Sequence, residues 1–239
     1  MFSSKAIAEA KDHARKTFPE EMVGYISGDK FVPLTNVADD PVEDFEVSPV
    51  EWFKASDVAE VLIHSHTNGN DFPSRIDMES QIEMGIPWGI IVTNGTEARD
   101  PFFWGDTLPR EGLIGRVFRH GVTDCYSLIR DYFRSEKDVV IPDFPRSHKW
   151  WDNGENMYLE GFEKAGFVEI REDEVQPGDC FLMKVGTQVP SHAGVYLGNN
   201  TILHHLPARL SRSEPFGGWL KLVSHWVRYV DASDGLPSR

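Results

Sequence analysis

Between Thr93 and Leu113 the hydrophobic patterning weakens. The chain reads NGTEARD and then GDTLPREG, a run of turn formers and charges. Such a stretch marks a boundary, placed near residue 108, and it obliges the chain to build two cores. The expected domains are 1–108 and 109–239. A length of 239 residues suits this division, at roughly 100–200 residues per domain. Hydrophobic residues at 40% and charged residues at 26% supply two packed interiors and exclude disorder or low complexity.

The first block alternates helix and strand signals. A helix over 3–17 carries Ala6, Ile7, Ala10 and Ala14 on one side and stops at Pro19. Strands are expected at Met22–Ile26 and Phe31–Leu34, joined by Gly28-Asp29. A helix over 49–59 precedes a buried strand, Val61–Ile63. Residues 65–74 have loop composition, Ser74–Met84 is helical, and Trp88–Val92 is a further strand. In the second block, helices at Cys125–Phe133 and Asn156–Ala165 come first. Strands near Phe167–Ile170, Cys180–Met183, Ala193–Leu197 and Thr201–His204 follow. Helices first and strands second read as α+β. No internal repeat is visible.

The charge balance is 24 Lys+Arg against 38 Asp+Glu, or −14. So acidic a chain argues against nucleic acid or an anionic membrane as its main partner. The longest apolar stretch, Gly85–Thr93, is interrupted by Pro87 and Gly89 and is too short for a membrane segment. The N-terminus is charged every few residues, unlike an export signal. Two cysteines, Cys125 and Cys180, are then expected as free thiols in a reducing compartment.

His64-Ser65-His66 ends a buried strand, and positions i and i+2 of a strand point to the same side. The loop then returns Asp77 in the first turns of a helix. Two imidazoles and one carboxylate are a catalytic zinc set with a fourth position left for water. Such an ion lowers the pKa of its water towards 7. A carboxylate base outside the ligand set is also needed, and Glu20 and Glu21 are the candidates. The pattern Glu…His-Ser-His-x7-Ser-x2-Asp resembles that of the JAMM (MPN) metalloproteases, over about residues 5–95. The family also carries Pro-x-Glu-x-x-Gly, matched by Pro19 to Gly24; many of its phage and bacterial members have Cys where Val23 stands. The resemblance implies an α/β/α fold, one Zn²⁺ held by His64, His66 and Asp77, Glu21 as the base, and Ser74 on the oxyanion.

Cys125 opens a helix behind Thr123-Asp124. The positive end of the helix dipole there is expected to lower its pKa and favour the thiolate. His192, at the start of a strand, is the imidazole partner expected by position. His204 ends the next strand, across the Gly198-Asn199-Asn200 turn, within lateral reach of His192. His205 points the other way by alternation. Cys180 reads as a small buried hydrophobe. Asp124-Cys125-Tyr126-Ser127-Leu128, Pro177-Gly178-Asp179, His192-Ala193-Gly194-Val195-Tyr196-Leu197-Gly198 and His204 together resemble the NlpC-type cysteine peptidases of bacterial cell-wall peptides. This resemblance covers about residues 110–230. It implies a papain-like fold with a Cys125–His192–His204 triad. Typical members have Cys-Ser-Gly where this chain has Cys-Tyr-Ser, a form characteristic of phage members.

The two domains in this order resemble the tail assembly proteins of lambda-like tailed phages. That implies a protein made in the host cytoplasm and placed in the virion tail tip. Its partners would be tail tip proteins and peptidoglycan peptides, with no nucleic acid and no membrane segment. The thiol half would cut stem peptides to help the tail cross the wall. The zinc half would hydrolyse a peptide or isopeptide bond in a tail protein or wall peptide. The alternative is a tail component that keeps both folds as docking modules. Trp219 and Trp226 read as core, whereas Trp150-Trp151, in a polar stretch, is expected in an exposed loop.

Overall fold

The computed structural model describes residues 2–231. Met1 and residues 232–239, included in the two expected domains, lie outside the described residues. The chain divides into two compact units, Met1–Pro109 and Arg110–Arg239.

In the first unit, helix α1 (Ser4–Thr17) leads to strands β1 (Val23–Ser27) and β2 (Lys30–Leu34). After helix α2 (Pro49–Ala55) come β3 (Val61–His66), α3 (Arg75–Met84), β4 (Trp88–Val92) and β5 (Phe102–Trp104). The sheet order is β2-β1-β3-β4-β5, with β3 and β4 parallel and the other pairs antiparallel. Strand β3 is buried along its whole length, and two periodicities meet on it. Ala6, Ala10 and Ala14 form a stripe at four-residue spacing, and their lack of bulk lets α1 pack closely on Val61, Ile63, Met22, Ile26 and Ile91. Each fully buried branched side chain there contributes about 1.5–3 kcal/mol. By alternation Leu62, His64 and His66 take the opposite face, where α3 supplies Asp77. The result is three layers, α/β/α.

Three expectations shift. Strand β3 runs through His66, so the loop begins at Thr67. Helix α2 stops at Ala55, four residues short of the expected end, and the chain continues as a turn over residues 56–58. Within the weakly patterned segment, Phe102–Trp104 forms an edge strand, with Trp104 opposite Trp88.

The second unit opens with helix α4 (Cys125–Lys137), followed by the short helix α5 (Met157–Gly161). Strands β6 (Phe167–Ile170), β7 (Cys180–Met183), β8 (His192–Gly198), β9 (Thr201–His204), β10 (Arg212–Pro215) and β11 (Val223–Tyr229) form one antiparallel sheet. Its order is β10-β9-β8-β7-β11-β6. Leu128, Ile129, Tyr132 and Phe133 of α4 pack on Leu182, Ala193, Val195, Leu203 and Val227. A second cluster, with Phe181, Met183, Ile202, Phe216 and Trp226, lies among the residues that alternate with these. Asp124 caps α4 by accepting from the Ser127 N–H and hydroxyl, both at 3.0 Å, and from the Gly121 N–H at 2.8 Å. The Asp-Cys-x-Ser pattern is therefore a helix start. Gly194 faces His204 across the β8–β9 pair. A Cβ there would meet the Leu203 carbonyl oxygen at 2.7 Å and the His204 Cβ at 2.9 Å.

Helix α5 is shorter than the Asn156–Ala165 expectation. Among the described residues, no helix is long and apolar enough to cross a membrane.

Candidate metal centre and thiol site

On the first unit's sheet, the two rings of β3 converge. His64 Nε2 and His66 Nε2 are 3.2 Å apart, and Asp77 places Oδ1 at 3.3 Å from the first and Oδ2 at 3.5 Å from the second. All three residues are buried. A tetrahedron with arms of about 2.0–2.1 Å has edges of about 3.3–3.4 Å; the imidazole pair matches one such edge, and one ligand atom from each of the three residues lies within 4.8 Å of the others, a group able to hold a cation. Their orientation is set from behind. His66 Nδ1 donates to the Asn70 carbonyl at 3.0 Å, which leaves the lone pair on Nε2. Asp77 is the third residue of α3, and it closes a capping box with Ser74. Its Oδ2 accepts from the Ser74 N–H at 2.7 Å, and its own N–H donates to Ser74 Oγ at 3.0 Å. The rings of Phe45 and Trp88 flank His64, with centroids at 4.5 and 5.8 Å.

Electrostatics follow from burial. Desolvation lowers the His64 pKa. His66 is desolvated too, but the hydrogen bond and charge of Asp77 hold its pKa above the ordinary value. Asp77 outweighs its own desolvation through the two imidazoles and titrates well below the usual carboxylate range. The sequence left Glu20 and Glu21 open, and here they part. Glu20 is exposed, whereas Glu21 is buried beside His66 and Asp77. Burial pushes the Glu21 carboxyl up to about 8, with the charges of Asp77, Asp44 and Glu43 adding to the shift. At neutral pH the carboxyl is therefore held mostly in its protonated form.

On the second unit, Cys125 is half-buried at the first position of α4, and Cys180 is fully buried; both are free. The Cys125 Sγ lies 3.1 Å from the Tyr158 hydroxyl and against the backbone N–H of Ala193, the residue after His192. The expected lowering of the thiol pKa is reversed. Burial, then the charge of Asp124, push it up to about 11. The dipole of α4 is outweighed first by burial and then by the anion that caps the helix. His192 Nε2 meets His204 Nδ1 at 3.2 Å, and His204 Nε2 meets Glu214 Oε1 at 2.7 Å. Desolvation, followed by the neighbouring imidazoles of His204 and His205, brings His192 down to about 3. At rest the thiol and the imidazole are both neutral. His205 is turned away, with Nε2 on the Arg209 carbonyl at 3.2 Å.

Comparison with known proteins assigns both halves. The NlpC/P60 family matches residues 99–228, and the prokaryotic homologs of the JAB domain match residues 3–105. Tail tip assembly protein K of Escherichia phage lambda is 37% identical over 172 residues, covering 71% of this chain and 82% of its own. Tail tip assembly protein K of Escherichia phage N15 is 31% identical over 236 residues, covering 95% of each. The chain belongs to the tail tip assembly protein K family. Its N-terminal half is a JAB-like domain and its C-terminal half an NlpC/P60 domain. A crystal structure of an NlpC/P60 family protein from Bacillus cereus aligns at a TM-score of 0.35 with 12% identity, over 92% of this chain and 67% of that one.

Three residues around the NlpC/P60 thiol and its imidazole chain carried no signal in the sequence. Tyr158 sits on α5, outside every quoted motif. Arg146 is buried and grips Asp124 through two nitrogens, at 2.7 and 3.0 Å, offsetting the anion next to Cys125. Glu214 lies on β10, a strand whose polar Arg-Ser-Glu-Pro sequence lacks an apolar alternation. A further expectation fails in this family member. Trp150 is buried, in a short 3₁₀ turn over Trp150–Asn153, with its ring on Tyr158 at 5.8 Å. The polar residues around it face outward while the indole fills the space behind Tyr158. Trp226 is core, and Trp219 lies edge-on to His204 at 5.3 Å.

Proposed function

We propose that this protein is a peptidase of the phage tail tip, made in the host cytoplasm and carried in the virion, with two hydrolytic sites. The C-terminal site would be a cysteine peptidase that cuts peptidoglycan stem peptides as the tail crosses the wall. The reading is carried by the chain His192–His204–Glu214 together with the helix-start thiol, which lies against the backbone N–H of Ala193, the residue after His192. With Nε2 of His192 engaged by His204, Nδ1 is the nitrogen that takes the Cys125 proton. Sulfur attacks the carbonyl carbon, and the oxygen takes up the charge, facing the Cys125 N–H and the Tyr158 hydroxyl. The C–N bond breaks as the imidazolium returns its proton to the leaving amine. Water, deprotonated by His192, then hydrolyses the thioester and frees the thiol.

The N-terminal site would hold one zinc ion on His64, His66 and Asp77 and hydrolyse a peptide or isopeptide bond in a tail protein or wall peptide. Zinc, when bound, supplies Lewis acidity that polarises the carbonyl and lowers the pKa of water. Glu21 accepts the proton of the attacking water and passes it to the leaving amine. Ser74, whose oxygen already accepts from the Asp77 N–H, keeps its O–H free to donate to the oxyanion.

The test is mass spectrometry of purified peptidoglycan incubated with the full chain, beside Cys125→Ala and Glu21→Gln. New stem-peptide products that vanish only in Cys125→Ala support the assignment of the wall activity to the thiol. Their absence with folded, reduced, zinc-loaded protein would overturn it in favour of two docking modules.

A further inference from the structure

The hydrogen-bond chain behind Cys125 does not stop at the second imidazole. His204 Nε2 lies 2.7 Å from Glu214 Oε1, and the Arg209 guanidinium lies 3.3 Å from Oε2 of the same carboxylate. The direction of every proton in the chain follows from that last contact. A carboxylate only accepts, so His204 must carry its proton on Nε2. Its Nδ1 is then a bare acceptor. The 3.2 Å contact to His192 Nε2 can be made only if His192 donates from that atom. His192 is thereby left with its lone pair on Nδ1.

We infer that Glu214 is a positioning residue that sets the tautomer of His192 through His204, two rings away from the thiol. The inference deepens the cysteine-peptidase reading and rests on it for its catalytic consequence. The tautomers themselves are a property of the resting protein.

The surroundings leave this task to Glu214. His204 meets His192 from β8, the edge-on ring of Trp219, Glu214 and Arg212 from β10, and Arg209 from the preceding loop. Glu214 is the sole acceptor among these charged groups. Arg209 and Arg212 both favour the ionised carboxylate, which keeps it an acceptor. The partition is also economical in sequence terms. Glu214 lies opposite Ile202 in the β9–β10 register, and His204 lies opposite Arg212. The carboxylate thus reaches the ring diagonally on one face of the sheet, as strand geometry allows.

The experiment uses the full chain with ¹⁵N-labelled histidine. Long-range ¹H–¹⁵N spectra read which nitrogen of each ring is protonated, with no substrate present. In the unsubstituted protein His204 and His192 should both be Nε2-protonated. Glu214→Ala should give mixed tautomers at both rings. Glu214→Gln, whose amide oxygen still accepts, should restore them. In parallel, iodoacetamide alkylation of Cys125 and cleavage of soluble muropeptides should fall about 10–100-fold in Glu214→Ala, the range seen when a partner that orients an imidazole is lost. The loss should appear in kcat and not KM, and Glu214→Gln should recover most of it. Unchanged tautomers in Glu214→Ala overturn the inference, and so does a variant that only lowers the melting temperature. Altered tautomers in a protein that cleaves no muropeptide would support this inference while sinking the peptidase reading.

Discussion

Each half of the molecule brings two histidine rings together at the same distance, 3.2 Å, and uses the pair in opposite ways. In the JAB-like half the rings come from one strand, two residues apart, and both aim Nε2 at one point, where a carboxylate joins them. That arrangement is convergent, and it concentrates lone pairs for a cation. In the NlpC/P60 half the rings come from adjacent strands and meet Nε2 to Nδ1, with a carboxylate at the far end. That arrangement is serial, and it orders protons along a line. A short contact between two imidazoles therefore carries no functional meaning until the atoms that make it are known.

The largest effects should separate the two arrangements. His66→Ala or Asp77→Ala should take bound zinc from one per chain to none by equilibrium dialysis, with Cys125 alkylation unchanged. A zinc content untouched by either substitution would break the convergent reading. His192→Ala should lower muropeptide cleavage by about 10²–10⁴-fold, the share of a general base, and leave zinc content intact.

The pH dependence is smaller and differs in sign between thiol and imidazole. His192 is brought down to about 3, below its unfolded value. Its contribution to stability is complete above about pH 6.5. That contribution is lost as pH falls towards 3, at roughly 1.4 kcal/mol per pH unit. Urea unfolding of the second unit should show this slope, and His192→Gln should flatten it. The Cys125 thiol is raised to about 11, so its contribution is present below its unfolded pKa and fades as pH climbs to the folded value. Its alkylation rate should keep rising through neutral pH towards 11. A plateau near pH 7 would instead restore the thiolate expected from the helix dipole. The smallest effect belongs to Ser74→Ala, which removes a cap and should cost about 1 kcal/mol at the start of α3.

Spacing made much of this legible. His64, His66 and Asp77 are placed by strand alternation and by a cap, both of which have short-range signatures, and the structure brings them together. Cys125 is marked by its helix start, and the β8–β9 turn aligns His192 with His204. Glu214, Arg146 and Tyr158 were invisible for a common reason. Each acts through a tertiary contact from a segment whose local pattern is weak, and one more acidic residue among 38 announces nothing. Three strands were missed: β5 and β10 are short edges, β10 ending in a proline, and β11 is an interior strand whose Val-Ser-His-Trp-Val-Arg-Tyr sequence lacks a clean apolar alternation. The thiol pKa was misjudged because the dipole of α4 is a property of the helix alone. The burial of Cys125 and the anion that caps the helix are properties of the fold.

The capping box of α3 ties a further property to the first site. One carboxylate of Asp77 both faces the imidazoles and holds the Ser74 N–H that begins the helix. A cation that binds only the folded turn stabilises that turn by mass action. Chelation should then be felt as fraying, with faster deuterium uptake at the amides of Arg75 to Met78 than elsewhere in α3. The first turn of this helix is in that sense a latch, and the occupancy of the site can be read from how tightly it is shut.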